Sequence, residues 1–231
     1  MHYEQALMGL YSSAGWQQME RAVQEGQTPC AVLGPSEGMK SHLAAALMLR
    51  GHGPVLVITP SDEAAARICE DMEAMGGIRA MAFPARPSAL YRAEAVSREM
   101  EARRIGVLGA LLAGQVDVLC APSDALCQPL PPAAAFRQAM FTLQAGQRIA
   151  VETLCVKLVN AGYAREERVE GAGQFAARGG IVDIFPVGSE HPVRVEFFDD
   201  EIDALRSFDV MNQRSIEALS EARVLPAGEC P

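Results

Sequence analysis

Two stretches of this chain carry residues whose types and spacing suggest chemistry. The first is Gly34-Pro35-Ser36-Glu37-Gly38-Met39-Lys40-Ser41. It follows the spacing of a phosphate-cradling loop, G-x-x-x-x-G-K-[ST], with Gly34, Lys40 and Ser41 in register. In such a loop the backbone N–H groups surround the phosphates, the lysine reaches them and the hydroxyl meets Mg²⁺. Met39 stands where the second glycine belongs, and its side chain restricts the backbone and crowds the phosphate. Glu37 adds a carboxylate that repels a polyanion. Three readings are open: a chance Gly-Pro turn before a helix, a working nucleotide site, or a relic that keeps the fold without the ligand. No apolar run ending in Asp-Glu follows in the first half to hold Mg²⁺; Asp117 sits too early in its strand and Asp124 lies in a loop. The expectation is a chain without a cofactor and without catalysis, in which Gly34, Lys40 and Ser41 are vestiges.

The second stretch runs from Phe175 to Ile202. Strand periodicity puts Val193, Val195 and Phe197 on one face and Arg194, Glu196 and Phe198 on the other. An aromatic beside an arginine on an otherwise solvated face fits a protein-binding hot spot. Gly179-Gly180 supplies a turn that presents Arg178. The plainer reading pairs Arg194 with Glu196 in solvent and tucks Phe198 under a loop. A single Arg-Gly-Gly in an acidic, strand-rich region makes a poor RNA-binding segment.

Other residues read as structural. Tyr11 and Trp16 suit packing in an N-terminal helix, and His42 has no nucleophile or orienting acid at readable spacing. Asp199-Asp200-Glu201 suits a solvated turn, since its spacing is wrong for a calcium loop. The six cysteines form no C-x-x-C pair and have no histidine cluster, which argues against zinc and against a disulfide scaffold.

The elements that hold these stretches change character along the chain. Cys30–Leu33 reads as a short buried strand, 39–50 as a helix, 55–60 as a second buried strand and 62–75 as a helix capped by Ser61 or Asp62. A helix over about 93–113 and a strand over 116–121 follow. Helices alternating with apolar strands predict a parallel sheet covered on both faces. The turn-rich Cys127–Pro132 reads as a boundary. Beyond it, Val151, Leu154, Cys155, Leu158 and Val159 mark one amphipathic helix that Gly162 can end. Short strands are predicted at 166–170, 174–177, 180–185, 193–198 and 201–208, giving an α+β unit with an antiparallel sheet. The expected division is 1–130 and 131–231.

The composition, 49% hydrophobic and 21% charged, suits a folded chain. The net charge of −9 opposes non-specific nucleic-acid binding. No basic, apolar leader and no run of about 20 apolar residues occurs, so a cytoplasmic chain without a membrane partner is expected.

The sequence from Ala177 to Ser215, ARGGIVDIFPVGSEHPVRVEFFDDEIDALRSFDVMNQRS, resembles the module shared by UvrB and the transcription-repair coupling factors. LQAGQRIAVETLCVKLVNAGYAREERV before it and VLPAGECP after it are similar as well. Met39 in the loop, the direct run from Phe83 to Tyr91 without a long Tyr-rich hairpin, and Met211–Ser215 favour the coupling-factor branch. The resemblance implies a partial RecA-like, P-loop NTPase-like sheet domain followed by a smaller α+β domain that binds UvrA. It implies that Arg178, Arg194 and Phe198 lie on the UvrA-contacting surface. It further implies that RNA polymerase and DNA are met by other domains of a longer, ATP-driven translocase, and that the chain returns beyond Pro231 to complete the sheet. A UvrB-like ATP-dependent repair helicase domain and an autoinhibitory domain that masks the UvrA surface are the alternatives.

Overall fold

A computed structural model describes residues 7–86 and 98–229. The expected helix start near 93 and part of the Phe83–Tyr91 run lie outside the described residues. The chain forms two compact units, one from residues up to Ala85 with Gly114–Leu126, the other from Arg86–Ala113 with Cys127 onward.

In the first unit, β1 (Val55–Thr59), β2 (Ala80–Ala82) and β3 (Val118–Pro122) form a parallel sheet of order β1-β3-β2. Val57 and Ala82 both lie in register with Cys120. Val55, Val57, Ala80, Ala82, Val118 and Cys120 turn one face toward the helices Glu37–Leu47 and Asp62–Met75. Those helices bring small residues, Ala44, Ala45 and Ala65, so the backbones pack closely, with Met72 filling the remainder. Ser61 caps the second helix, accepting from the Ala64 amide at 3.2 Å.

Two expectations fail here. Leu56 and Ile58, on the opposite face of β1, are exposed, so the sheet is not covered on both faces among the described residues. Cys30–Leu33 forms no strand and is exposed, Leu33 to 93%. Apolar, β-branched composition sets only a preference; a strand exists where a neighbour completes its hydrogen-bond ladder, and no described strand pairs with this segment. The helix expected at 39–50 begins earlier, at Glu37, and ends at Leu47 before a wide turn in which Gly51 has a φ of 83°. Tyr11 and Trp16 do pack, but on separate short helices, Met8–Tyr11 and Ala14–Gln24, with ring centroids 5.3 Å apart.

In the second unit, β4 (Phe141–Gln144) precedes the helix Val151–Asn160. Then come β5 (Ala164–Arg165), β6 (Gln174–Arg178), β7 (Ile181–Phe185), β8 (Val193–Phe198), β9 (Glu201–Phe208), β10 (Ser215–Leu219) and β11 (Glu221–Val224). Six of these make one sheet of order β10-β9-β8-β7-β6-β5, antiparallel except for β5 on β6, and β11 pairs with β4. The inner face, with Phe175, Val182, Ile184, Val193, Val195 and Leu205, packs on Leu154 and Leu158 of the helix. Each such fully buried side chain contributes about 1.5–3 kcal/mol. Gly162, at φ 87°, ends that helix as expected.

Only Ala164–Arg165 forms a strand where 166–170 was expected. The Glu166 amide makes one last bond, to the Phe175 carbonyl at 2.8 Å, and the charged run Glu166-Glu167-Arg168 then leaves the sheet. Arg168 instead donates to the Val210 carbonyl at 2.5 Å. The strands β4, β10 and β11 and the helix Ala133–Ala139 went unforeseen.

The helix Arg98–Leu112 groups with this unit, although it lies before the sequence boundary. A buried ionic cluster ties it to the last described residues. Arg104 is fully buried and donates to both oxygens of Glu229, which also accepts from Arg86. The Glu229 amide in turn donates to Glu101 at 3.0 Å.

Candidate functional site

The loop and the sheet face singled out in the sequence belong to different units. In the first, the helix already begins at Glu37, so Glu37 to Ser41 form its first turn. Lys40 Nζ lies 2.6 Å from Glu37 Oε1, one turn back on the same helix. Ser41 is fully buried and its hydroxyl donates to Asp71 Oδ2 of the neighbouring helix at 2.5 Å. The cation is thus turned back onto the loop's own acid, and the hydroxyl is turned into the fold. Gly34, at φ 85°, makes the turn ahead of the helix.

In the second unit, the outer face of β6–β9 collects the other residues. Register places Arg178, Ile181, Glu196 and Ala204 in one row across the four strands. The next row is Ala176, Asp183, Arg194 and Arg206. Gly179 and Gly180 close the β6–β7 hairpin in two residues, Gly179 at φ 58°. A Cβ on Gly180 would lie 3.2 Å from the Phe197 carbonyl oxygen, so glycine also permits the backbone contact there. This turn presents Arg178, as expected, with a side chain 59% exposed.

Arg194 departs from the expectation. It does not pair with Glu196 in solvent, and it does not lie open beside Phe198. Its Nε and Nη2 donate to the two oxygens of Asp183 at 2.7 and 2.9 Å, and Nη2 also donates to Gln213 at 3.2 Å. The guanidinium lies 4.6 Å from the Phe208 ring centroid. Only 21% of its side chain is exposed. Hydrogen bonding to Asp183 pushes its pKa up from an already high value. Glu196 instead meets Arg206 at 3.6 Å.

Asp183 is the residue that sequence reasoning missed. It is buried and accepts from Arg194 in a fork, while Arg178 Nη2 approaches it at a looser 3.5 Å. Its signal was present: a carboxylate inside the apolar run Ile181-Val182-Asp183-Ile184-Phe185 needs a cation opposite it.

Phe198 stands at the far end of the face, 79% exposed, before the tight turn at Asp199, whose φ is 57°. The strand alternation holds: Val193, Val195 and Phe197 join the core, whereas Arg194, Glu196 and Phe198 face out. Ile181 is a second apolar side chain left open on this face, at 40% exposure. Arg178, Glu196 and Arg206 are the charged groups that share this face with the two exposed apolar side chains. Among the described residues no three His, Cys, Asp or Glu side chains converge to hold a metal ion, and no helix is long and apolar enough to cross a membrane.

A family model described as the UvrB interaction domain matches residues 141–229, a span that contains the whole of this face. The chain is 33% identical to the transcription-repair-coupling factor of Bacillus subtilis over 89% of its own length. It is 33% identical to that of Escherichia coli over 82%, and 31% identical to that of Haemophilus influenzae over 76%. The chain belongs to the transcription-repair-coupling-factor family, as a UvrB-like module. It spans 15 to 18% of the length of these three relatives.

Proposed function

We propose that this chain is a non-catalytic docking module that binds UvrA through the outer face of β6–β9. In a longer protein that also engages RNA polymerase and DNA through other domains, it would bring nucleotide excision repair to a stalled polymerase in the cytoplasm. The observation that carries this reading is Phe198, a large aromatic left 79% exposed on a sheet face that also displays the Arg178 guanidinium, within the span matching the UvrB interaction domain. Aromatic and arginine side chains dominate the energetics of protein–protein contacts.

The parallel sheet of the first unit is read as part of a RecA-like domain that no longer binds nucleotide. Met39 in the glycine position, Lys40 on Glu37 and Ser41 on Asp71 support that reading.

Calorimetric titration of the chain with UvrA tests the docking role. Phe198→Ala is expected to weaken binding roughly tenfold or more, in the range of hot-spot truncations, with an unchanged melting temperature. Undiminished affinity in a folded Phe198→Ala chain would place the interface elsewhere, and no binding by the unaltered chain would remove the UvrA reading.

A further inference from the structure

β7 has three outward side chains, and the fold accounts for two of them. Phe185 is covered by a small cluster of Val169, Ala176 and Phe208. Asp183 is covered by Arg194. Ile181 is left open, although the core is already supplied from the other face by Val182 and Ile184. At the first position after a two-residue glycine turn, the strand itself asks only for a β-former, and a threonine would serve as well.

The surroundings of Ile181 are ordered by charge. Arg178 opposes it on one side and Glu196 on the other. Strand spacing puts the backbones of these two residues about 10 Å apart with the isoleucine between them. Among the described residues Arg178 has only the 3.5 Å contact to an Asp183 whose oxygens are already committed to Arg194. A carboxylate from outside can therefore take Arg178 without competing against a full ion pair. Glu196, by contrast, has Arg206 beside it at 3.6 Å.

We infer that Ile181 is the central contact of this face, and that the segment docking on it covers Ile181 with an apolar side chain while extending a carboxylate to Arg178. This rests on the UvrA-docking reading above and narrows it to a partner chemistry: an acidic residue next to an aliphatic or aromatic one. Ile181 then supplies the water-excluding centre, and the charges on either side fix the register of the partner across the strands.

The two contributions separate by salt. A contact made by apolar burial is insensitive to screening, whereas an exposed ion pair weakens as ionic strength rises. With the full chain and UvrA in the calorimeter, Ile181→Ala is expected to weaken binding about tenfold at both ~50 mM and ~500 mM salt. Arg178→Ala is expected to cost about as much at the lower salt and clearly less at the higher. Ile181→Thr keeps the branched β-former and should reproduce much of the Ile181→Ala loss, which guards against a mere folding defect. Wild-type affinity in both Ile181 variants, with Arg178→Ala still impaired, would overturn the central role of Ile181 and leave the docking face standing. Wild-type affinity in all three variants, or no binding by the unaltered chain, would overturn the inference together with the face it rests on.

Discussion

The two arginines of the outer face have different jobs, and the difference lies in one carboxylate. Asp183 is almost wholly buried, and an ionised carboxylate there is tolerable only because Arg194 meets both of its oxygens. Arg178 adds a distant third contact and leaves more than half of its side chain in water. Truncating Arg194 strands the buried charge, whereas truncating Arg178 removes a surface group. Arg194→Ala is therefore expected to destabilise the chain by about 3 kcal/mol in urea denaturation, and Arg178→Ala by under about 0.5 kcal/mol. Equal stability of the two variants would refute the division of roles. This also marks what the sequence made legible at the site. The alternation of β8 was sufficient to place Arg194, Glu196 and Phe198 on one face. It did not say which acid Arg194 would choose, because that depends on the register of β7 against β8, where Asp183 lies directly opposite.

Among the elements, those with strong local signals were readable from the sequence and those defined by a neighbour were not. Ser61, the apolar spacing and Gly76 bound the helix Asp62–Met75 closely, and the β6–β9 meander follows its turns. By contrast, Cys30–Leu33 has strand composition with no described strand beside it, and β2, an Ala-Met-Ala segment of weak propensity, is a strand because β3 pairs with it. The phosphate-like loop shows the same dependence on context. Its spacing survives, yet the helix starting at Glu37 uses Lys40 and Ser41 for pairs with Glu37 and Asp71. If those pairs have replaced a phosphate, titration with ATP and Mg²⁺ should give no saturable heat, and Lys40→Ala should leave the trace unchanged. Saturable binding at micromolar ATP that Lys40→Ala abolishes would restore the nucleotide reading.

On the scale of the molecule, the second unit is closed by charge as well as by its core. Arg86, Arg104, Gln128 and Glu229 are far apart in sequence and meet in one cluster, buried at Arg104 and Glu229 and half-buried at Arg86 and Gln128, with Gln128 Oε1 accepting from the Arg86 amide at 2.8 Å. Burial by itself pushes the Glu229 carboxyl up, but the hydrogen bonds from Arg104 and Arg86 outweigh it and hold the carboxyl below its usual 4.5. A carboxyl with a folded pKa below its unfolded one stabilises the fold fully above the unfolded value and loses that contribution as pH falls through the folded one. The loss therefore falls below pH 4.5, outside the neutral range. Glu229→Gln removes the charge but keeps the shape, and the wholly buried Arg104 loses the carboxylate that meets it through two hydrogen bonds. It is expected to cost about 3 kcal/mol at neutral pH. The gap between wild type and variant should then close on acidification below pH 4.5, because the protonated wild type also presents an uncharged partner to the two arginines. Urea denaturation midpoints followed from neutral to acid pH check both statements. Equal midpoints at neutral pH would mean that Glu229 acts through shape alone and that its charge contributes nothing to holding the unit closed.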